Sequence, residues 1–157
     1  MVKVWFYPTY LVLGIIFSLI FIPKKYYKEY FIYGFLIGAL GDFCVVALFQ
    51  NVFKIIWFKN AGIFHVLGQN LLSPPSWTVT VMLFLRFLPH KRFFKYFYVL
   101  TFAGFSVGYG ILVKNVGLFD YRPWFYPFFS YLTFLGWWCF AAYFFNKTSP
   151  LANKNDL

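Results

Sequence analysis

Residues 30–49 read YFIYGFLIGALGDFCVVALF, and this stretch decides the fold class. Asp42 is its only charged side chain. At a rise of about 1.5 Å per residue, a helix of this length crosses the roughly 30 Å of hydrocarbon in a bilayer. Gly34 and Gly38 have the spacing that lets a second helix approach closely. The stretch therefore predicts a transmembrane helix that carries a carboxyl group inside the membrane.

The composition of the whole chain also indicates a membrane protein. Of its 157 residues, 62% are hydrophobic and 28% aromatic, whereas only 11% are charged, which is far from the mixture of a globular domain. The net charge of +10 would suggest nucleic acid as the partner of a soluble protein. Here the basic residues fall in short segments beside aromatic residues, as at lipid headgroups. We therefore predict the lipid bilayer as a partner and no nucleic acid.

The apolar runs predict an all-α, polytopic transmembrane helical bundle with about five spans. Pro74 and Pro75 remove two backbone donors from the third run, so we expect that span to be broken there. The predicted spans are 5–22, 30–50, 64–88, 96–116 and 124–145, which form one domain, 1–146, followed by a polar cytoplasmic tail, 147–157.

The segment 51–60 leaves two interpretations open. Lys54 and Lys59 interrupt its apolar residues, which favours a turn or a short helix lying in the headgroup plane. If the segment instead belongs to a span, the number of crossings changes.

The distribution of Lys and Arg predicts an orientation, because cytoplasmic segments carry an excess of both. With five spans and the N-terminus outside, nine basic residues lie inside and five outside. The inner ones are Lys24, Lys25, Lys28, Arg86, Lys91, Arg92, Lys95, Lys147 and Lys154, and the outer ones are Lys3, Lys54, Lys59, Lys114 and Arg122. We therefore predict an external N-terminus and a cytoplasmic C-terminus. An aromatic belt at the outer surface supports it: Trp5, Phe6, Tyr7, Trp57, Trp124, Phe125 and Tyr126.

Polar side chains of several spans fall at one depth when residues are counted from the predicted inner ends. Asp42 lies near the bilayer midplane, and so do Ser73 and Ser76 at the broken span, Ser106 and Thr133. A broken helix exposes backbone groups that are tolerated in the membrane only where protein or water satisfies them. These five residues form the predicted ligand or proton site.

Asp42 itself has two interpretations. As a functional group it would take up and release a proton, or pair with a cationic ligand. As a structural group it would be a protonated side chain, hydrogen-bonded to a neighbouring helix. The sequence favours the structural interpretation, because no basic residue is predicted at the same depth and such interhelical bonds are common.

Three tryptophans lie deeper in the predicted spans than the outer belt does. Trp77, Trp137 and Trp138 would together form an aromatic wall for a flat apolar ligand such as a quinone or an isoprenoid. Lipid contact or packing is the more common role of such residues.

The sequence predicts no catalytic residue, no cofactor and no metal. His65 and His90 are predicted near opposite surfaces, and Cys44 and Cys139 lie in apolar runs, as buried structural cysteines do. Paired carboxylates and an activated nucleophile at useful spacing are missing, which disfavours an enzyme.

Three stretches carry a resemblance to a known family. Residues 19–25 (LIFIPKK) close the first helix, 87–92 (FLPHKR) end the third span, and 121–126 (YRPWFY) open the last helix. On these stretches the chain resembles a family of small, largely uncharacterised five-helix membrane proteins of spore-forming and related Gram-positive bacteria. The resemblance covers most of the length. It implies a bacterial cytoplasmic membrane and gives no catalytic residue.

Three functions remain open. The favoured one is a non-enzymatic integral membrane protein that binds a small hydrophobic molecule or a protein partner in the bilayer, either a second copy of itself or another membrane protein. The alternative is a small transporter or proton-coupled permease subunit that uses Asp42. A membrane enzyme that modifies a lipid or an isoprenoid is the least favoured.

Overall fold

A computed structural model describes residues 2–60, 62–66 and 68–153, and Lys154 with the end of the predicted tail lies outside them. The described chain is an all-α bundle, which confirms the predicted fold class. Its five helices are α1 (Val2–Phe21), α2 (Lys24–Val52), α3 (Ser73–Arg86), α4 (Arg92–Val116) and α5 (Phe128–Thr148).

Four of the helices within the described residues, α1, α2, α4 and α5, are long and apolar enough to cross a membrane. Their outward faces carry many large apolar side chains, among them Phe105, which is 69% exposed. Such surfaces are rare on soluble monomers, and contact with lipid removes their cost. The four helices support a membrane protein.

α3 differs from the other four helices because it is short and enclosed. Its 14 residues span about 21 Å, well below the thickness of a hydrocarbon core. Every residue from Ser73 to Arg86 is buried or half-buried. Side chains of α3 pack against the other four helices, with Phe84 contacting Tyr98, Phe102 and Trp138. α3 is therefore the centre of the bundle.

Contacts between helix ends show that successive helices run in opposite directions. At one end, Arg86 Nε donates to the carbonyl of Phe21 at 2.8 Å, and Lys95 Nζ donates to Asn146 Oδ1 at 3.2 Å. The Ser149 hydroxyl donates to Glu29 there too. We call this the basic end, because the connections at residues 22–28 and 86–95 lie there and are rich in Lys and Arg.

The opposite end of the bundle is closed by a two-stranded antiparallel ribbon. β1 (Ile56–Phe58) pairs with β4 (Phe119–Tyr121), and Trp57 stands opposite Asp120. We call this the ribbon end. The segment 51–60 thus contains a strand where the sequence favours a turn or a short helix.

The residues before the two prolines form a small hairpin rather than half of a helix. β2 (His65–Val66) pairs with β3 (Gln69–Asn70), and α3 begins at Ser73 with Pro74 and Pro75 in its first turn. Proline is tolerated there, because first-turn amides have no intrahelical acceptor to lose. The predicted break is therefore a helix start, and the helical part of the stretch 64–88 is Ser73–Arg86.

Close approach of α2 and α3 depends on glycine. A Cβ on Gly38 would lie 2.6 Å from the carbonyl oxygen of Trp77, and one on Gly34 would lie 2.7 Å from that of Thr78. Both glycines sit in a stretch of wide π-type turns, Gly34–Leu40, in the middle of α2. The sequence spacing of these glycines does mark a helix contact, and its partner is α3.

The two cysteines are not core residues. Cys44 and Cys139 are both free and exposed on the bundle surface, so the expectation of buried side chains is wrong. Each lies on a helix face directed away from the core, which an apolar run by itself does not reveal.

Candidate functional site

A partly enclosed cavity of about 100 Å³ lies below the ribbon. All five helices contribute to its wall, together with β1, β4 and the loop that follows β4. From α3 the cavity is lined by Ser73 and Trp77, which lie in the first two turns of that helix. Its lining is mostly aromatic and aliphatic, and the polar members are Asp42 and the hydroxyls of Tyr7, Ser73, Tyr109, Tyr126, Ser130 and Thr133.

Asp42 is the one Asp, Glu, Lys or Arg residue among the described residues that line the cavity. It is 8% exposed, and Ser73 Oγ donates a hydrogen bond to its Oδ2 at 2.9 Å. Across the described part of the chain, no Lys, Arg or His forms an ion pair with it, since the ion pairs present involve Asp120. A buried carboxyl with one hydroxyl donor still has acceptor capacity to spare.

Three tyrosines bring further hydroxyls to the cavity. Tyr7 of α1 is buried and lies within range of the Ser73 hydroxyl. The Tyr109 hydroxyl lies beside that of Tyr7, but no described residue forms a hydrogen bond of good geometry with it. The side chain of Tyr126 can pack against α4 because position 110 is glycine. Any Cβ there would collide with the Tyr126 hydroxyl. The sequence assigns Tyr7 and Tyr126 to an outer belt, yet both turn inward.

Trp137 lies beside Asp42 for a similar reason. Its ring packs directly on Gly41, where a Cβ would overlap it. Its Nε1 is buried and has no hydrogen-bond partner among the described residues. On the same wall, Trp77 stacks on Phe134 with ring centroids 5.8 Å apart. An indole donor without an acceptor is costly in a core, and a bound oxygen atom would relieve that cost.

The predicted polar site divides into two groups. Asp42, Ser73 and Thr133 line the cavity. Ser76 does not, because its hydroxyl donates to the carbonyl of Leu72 at 2.6 Å. Ser106 donates to the carbonyl of Phe102 and accepts from Trp138 Nε1 at 2.9 Å. Depth along a helix determines height in the bundle but not direction around the helix, so the equal depth of these serines does not bring them together.

The predicted aromatic wall divides in the same way. Trp77 and Trp137 line the cavity, whereas Trp138 is fully buried against Phe84, with ring centroids 4.4 Å apart. Trp138 therefore belongs to the core.

Two ion pairs connect the ribbon to the end of α4 above the cavity. Lys59 Nζ and Lys114 Nζ lie 2.5 Å and 3.0 Å from the two oxygens of Asp120. The hydrogen bond from Lys59, followed by that from Lys114 and by the Tyr121 amide, lowers the pKa of Asp120 to about 2. Its carboxylate thus stays charged at neutral pH and joins β1, β4 and the end of α4.

The histidines do not extend the site. His65 lies in β2 and His90 between α3 and α4, and neither lines the cavity. Within the described residues, no group of three or more His, Cys, Asp or Glu side chains is placed to hold a metal ion.

Comparison with protein-family models, with curated proteins and with solved structures finds no match for this chain. The chemistry of the cavity therefore has to be inferred from its own residues.

Proposed function

We propose that this is a multi-pass membrane protein of a bacterial cytoplasmic membrane that binds a small, mostly hydrophobic molecule within the bilayer. The observation that carries the proposal is the cavity below the ribbon, with its apolar wall and its one buried carboxyl at Asp42. Small-molecule sites in helical bundles have this character, an apolar cavity with few polar groups that orient the ligand.

We propose the orientation with the ribbon end outside and the basic end in the cytoplasm. Val4 lies next to Gly62, which places the start of α1 at the ribbon end. Among residues with described side chains, the basic end holds Lys24, Lys25, Lys28, Arg86, Lys91, Arg92, Lys95 and Lys147, against Lys54, Lys59, Lys114 and Arg122 at the ribbon end. The excess of positive charge at the basic end supports this orientation.

A matched pair of threonines tests the binding function. Thr133 lines the cavity, whereas Thr101 lies outside it, and each donates to the carbonyl four residues earlier in its own helix. In Thr133→Phe the new ring fills the cavity; in Thr101→Phe it lies against lipid. The two variants therefore differ in whether the cavity is filled.

The probe is 4-bromobenzyl alcohol, whose bromine quenches nearby indoles, added to the full chain in phosphatidylcholine nanodiscs. We expect saturable quenching in the wild type and in Thr101→Phe, because Trp77 and Trp137 line the cavity. Thr133→Phe should show only the linear quenching that partition into lipid produces. Equal saturable quenching in both variants would contradict binding in the cavity.

Proton-coupled transport is the second candidate, and the position of Asp42 favours it. The carboxyl faces a cavity and has no cationic partner among the described residues, so it is free to exchange a proton with an occupant. Proteoliposomes that hold a pH-sensitive dye test this. Ligand-driven proton flux that disappears in Asp42→Asn would support a transporter, and binding without flux would reject it.

A further inference from the structure

The proposed ligand site contains a buried carboxyl group that has no basic partner among the described residues. Asp42 is 8% exposed, its hydrogen bond comes from the neutral Ser73, and its carboxyl borders the cavity. A buried carboxylate without a partner is expensive, and a cation that hydrogen-bonds to it recovers much of that cost.

Three basic side chains of the ribbon end are already engaged there. Lys59 and Lys114 bind Asp120. Arg122 donates to the carbonyl of Lys54 at 3.2 Å and lies 5.9 Å from the ring of Trp57. Although the chain carries a net charge of +10, these groups do not reach Asp42. Among the described side chains no basic group pairs with Asp42, so its carboxyl is available to a positive partner that enters the cavity.

The wall of the cavity suits a positive charge. The rings of Tyr7, Trp77, Tyr126, Phe134 and Trp137 surround the space next to Asp42. The face of an aromatic ring carries partial negative charge, so rings attract ammonium groups and disfavour anions. An aromatic enclosure and a carboxylate both select for a cation.

The size of the cavity limits the ligand to a small one. Its volume of about 100 Å³ is smaller than the roughly 150 Å³ of an apolar cavity that holds benzene, so it encloses a short alkyl chain or part of one ring. The cavity is only partly enclosed, so the rest of a small ligand can extend through its opening. From these observations we infer that the ligand is a small organic ammonium ion, whose charged head binds Asp42 and whose apolar body packs on the aromatic rings. This inference rests on the proposed ligand-binding function.

Two probes of equal shape separate charge recognition from cavity binding. At neutral pH 4-bromobenzylamine is a cation, whereas 4-bromobenzyl alcohol is neutral; nanodiscs of phosphatidylcholine avoid attracting the amine to anionic lipid. We expect the wild type to bind the amine about tenfold or more tightly than the alcohol, as one charge-assisted hydrogen bond provides. Tryptophan quenching measures both affinities.

Variants of Asp42 test whether its carboxyl causes the preference for the amine over the alcohol. Asp42→Asn should reduce the affinity for the amine about tenfold and leave that for the alcohol within about twofold. Asp42→Glu, which keeps the charge, should retain the preference. The control is Glu29→Gln, the equivalent change at the basic end of the same helix, where Glu29 accepts from Ser149. It should behave as the wild type does.

The outcomes distinguish this inference from the function on which it rests. If both probes bind the wild type equally, the ligand is not selected for charge, and cavity binding stands without it. If neither probe gives saturable quenching, both are wrong. The amine-to-alcohol ratio of the wild type needs no variant, so a ratio near one overturns the inference even where Asp42→Asn does not fold.

Discussion

Ser73 Oγ lies 2.9 Å from Asp42 Oδ2, and this hydrogen bond joins the first turn of α3 to the middle of α2. It forms where Gly38 lets the two helices approach to backbone contact. The positions of the Asp42 and Ser73 side chains in the cavity thus depend on the close packing of α2 against α3.

Removing the donor of this bond should destabilise the protein. In Ser73→Ala the buried Asp42 loses the hydroxyl that donates to it, which costs about 1–3 kcal/mol for a buried group left unsatisfied. The control is Ser76→Ala, since Ser76 is equally buried but donates to the carbonyl of Leu72, the residue directly before its own helix. Leu72 also accepts from the Ser76 amide, so its carbonyl keeps a partner. Reversible denaturation in mixed micelles should show the larger loss for Ser73→Ala.

Two glycine substitutions should change stability in opposite directions. A Cβ at Gly38 meets the Trp77 backbone at 2.6 Å, whereas nothing lies within 4 Å of one at Gly104. Gly38→Ala forces α2 and α3 apart and should cost about 1–3 kcal/mol. Gly104→Ala should stabilise α4 by roughly 0.5–1 kcal/mol through helix propensity. Unfolding of the two variants under identical conditions checks the sign; destabilisation by both would show that the packing at Gly38 is not special.

The ribbon should loosen in acid. Because the pKa of Asp120 is lowered from 3.8 to about 2 in the folded protein, its stabilisation is complete above pH 4 and is lost as the pH falls towards 2. Hydrogen exchange of the β1 and β4 amides, corrected for the intrinsic effect of pH, should increase over that interval. In Asp120→Asn the corrected exchange should be faster at neutral pH and independent of pH. An unchanged wild-type ribbon at pH 2 would show that the two ion pairs do not hold it.

Adjacent tryptophans should respond differently to the same substitution. Trp138 is fully buried and donates to Ser106 at 2.9 Å, whereas the buried Nε1 of Trp137 has no partner among the described residues. Trp138→Phe loses a hydrogen bond and leaves a void, so we expect a loss of about 2–4 kcal/mol. Trp137→Phe removes an unsatisfied donor and should cost less than about 1 kcal/mol. Chemical denaturation of both variants tests this, and equal losses would place Trp137 in the core as well.

The helices follow directly from the sequence. Long apolar runs such as 30–49 leave the backbone no option in lipid except internal hydrogen bonding, so their length and composition determine a helix. The Gly34 and Gly38 spacing likewise marks a surface for close approach. Asp42 can be recognised as a buried carboxyl because it lies inside one of these apolar runs.

The ribbon could not be predicted in this way. β1 and β4 have three residues each and pair across more than 60 positions of sequence, and such short strands carry no periodic pattern. Without the ribbon, the position of the cavity and the inward direction of Tyr7 and Tyr126 stay hidden. Ser76 and Ser106 show the related limit, because their environment depends on which neighbour each helix face meets.

The enclosed position of α3 has a consequence for biogenesis. A segment of 14 residues with two prolines in its first turn is too short to partition into a bilayer as an independent span. Its apolar surface is covered in the folded protein by the other four helices, two before it and two after it in the chain. For the membrane protein proposed above, we therefore expect α3 to integrate cooperatively with the helices on either side of it and not as a span of its own.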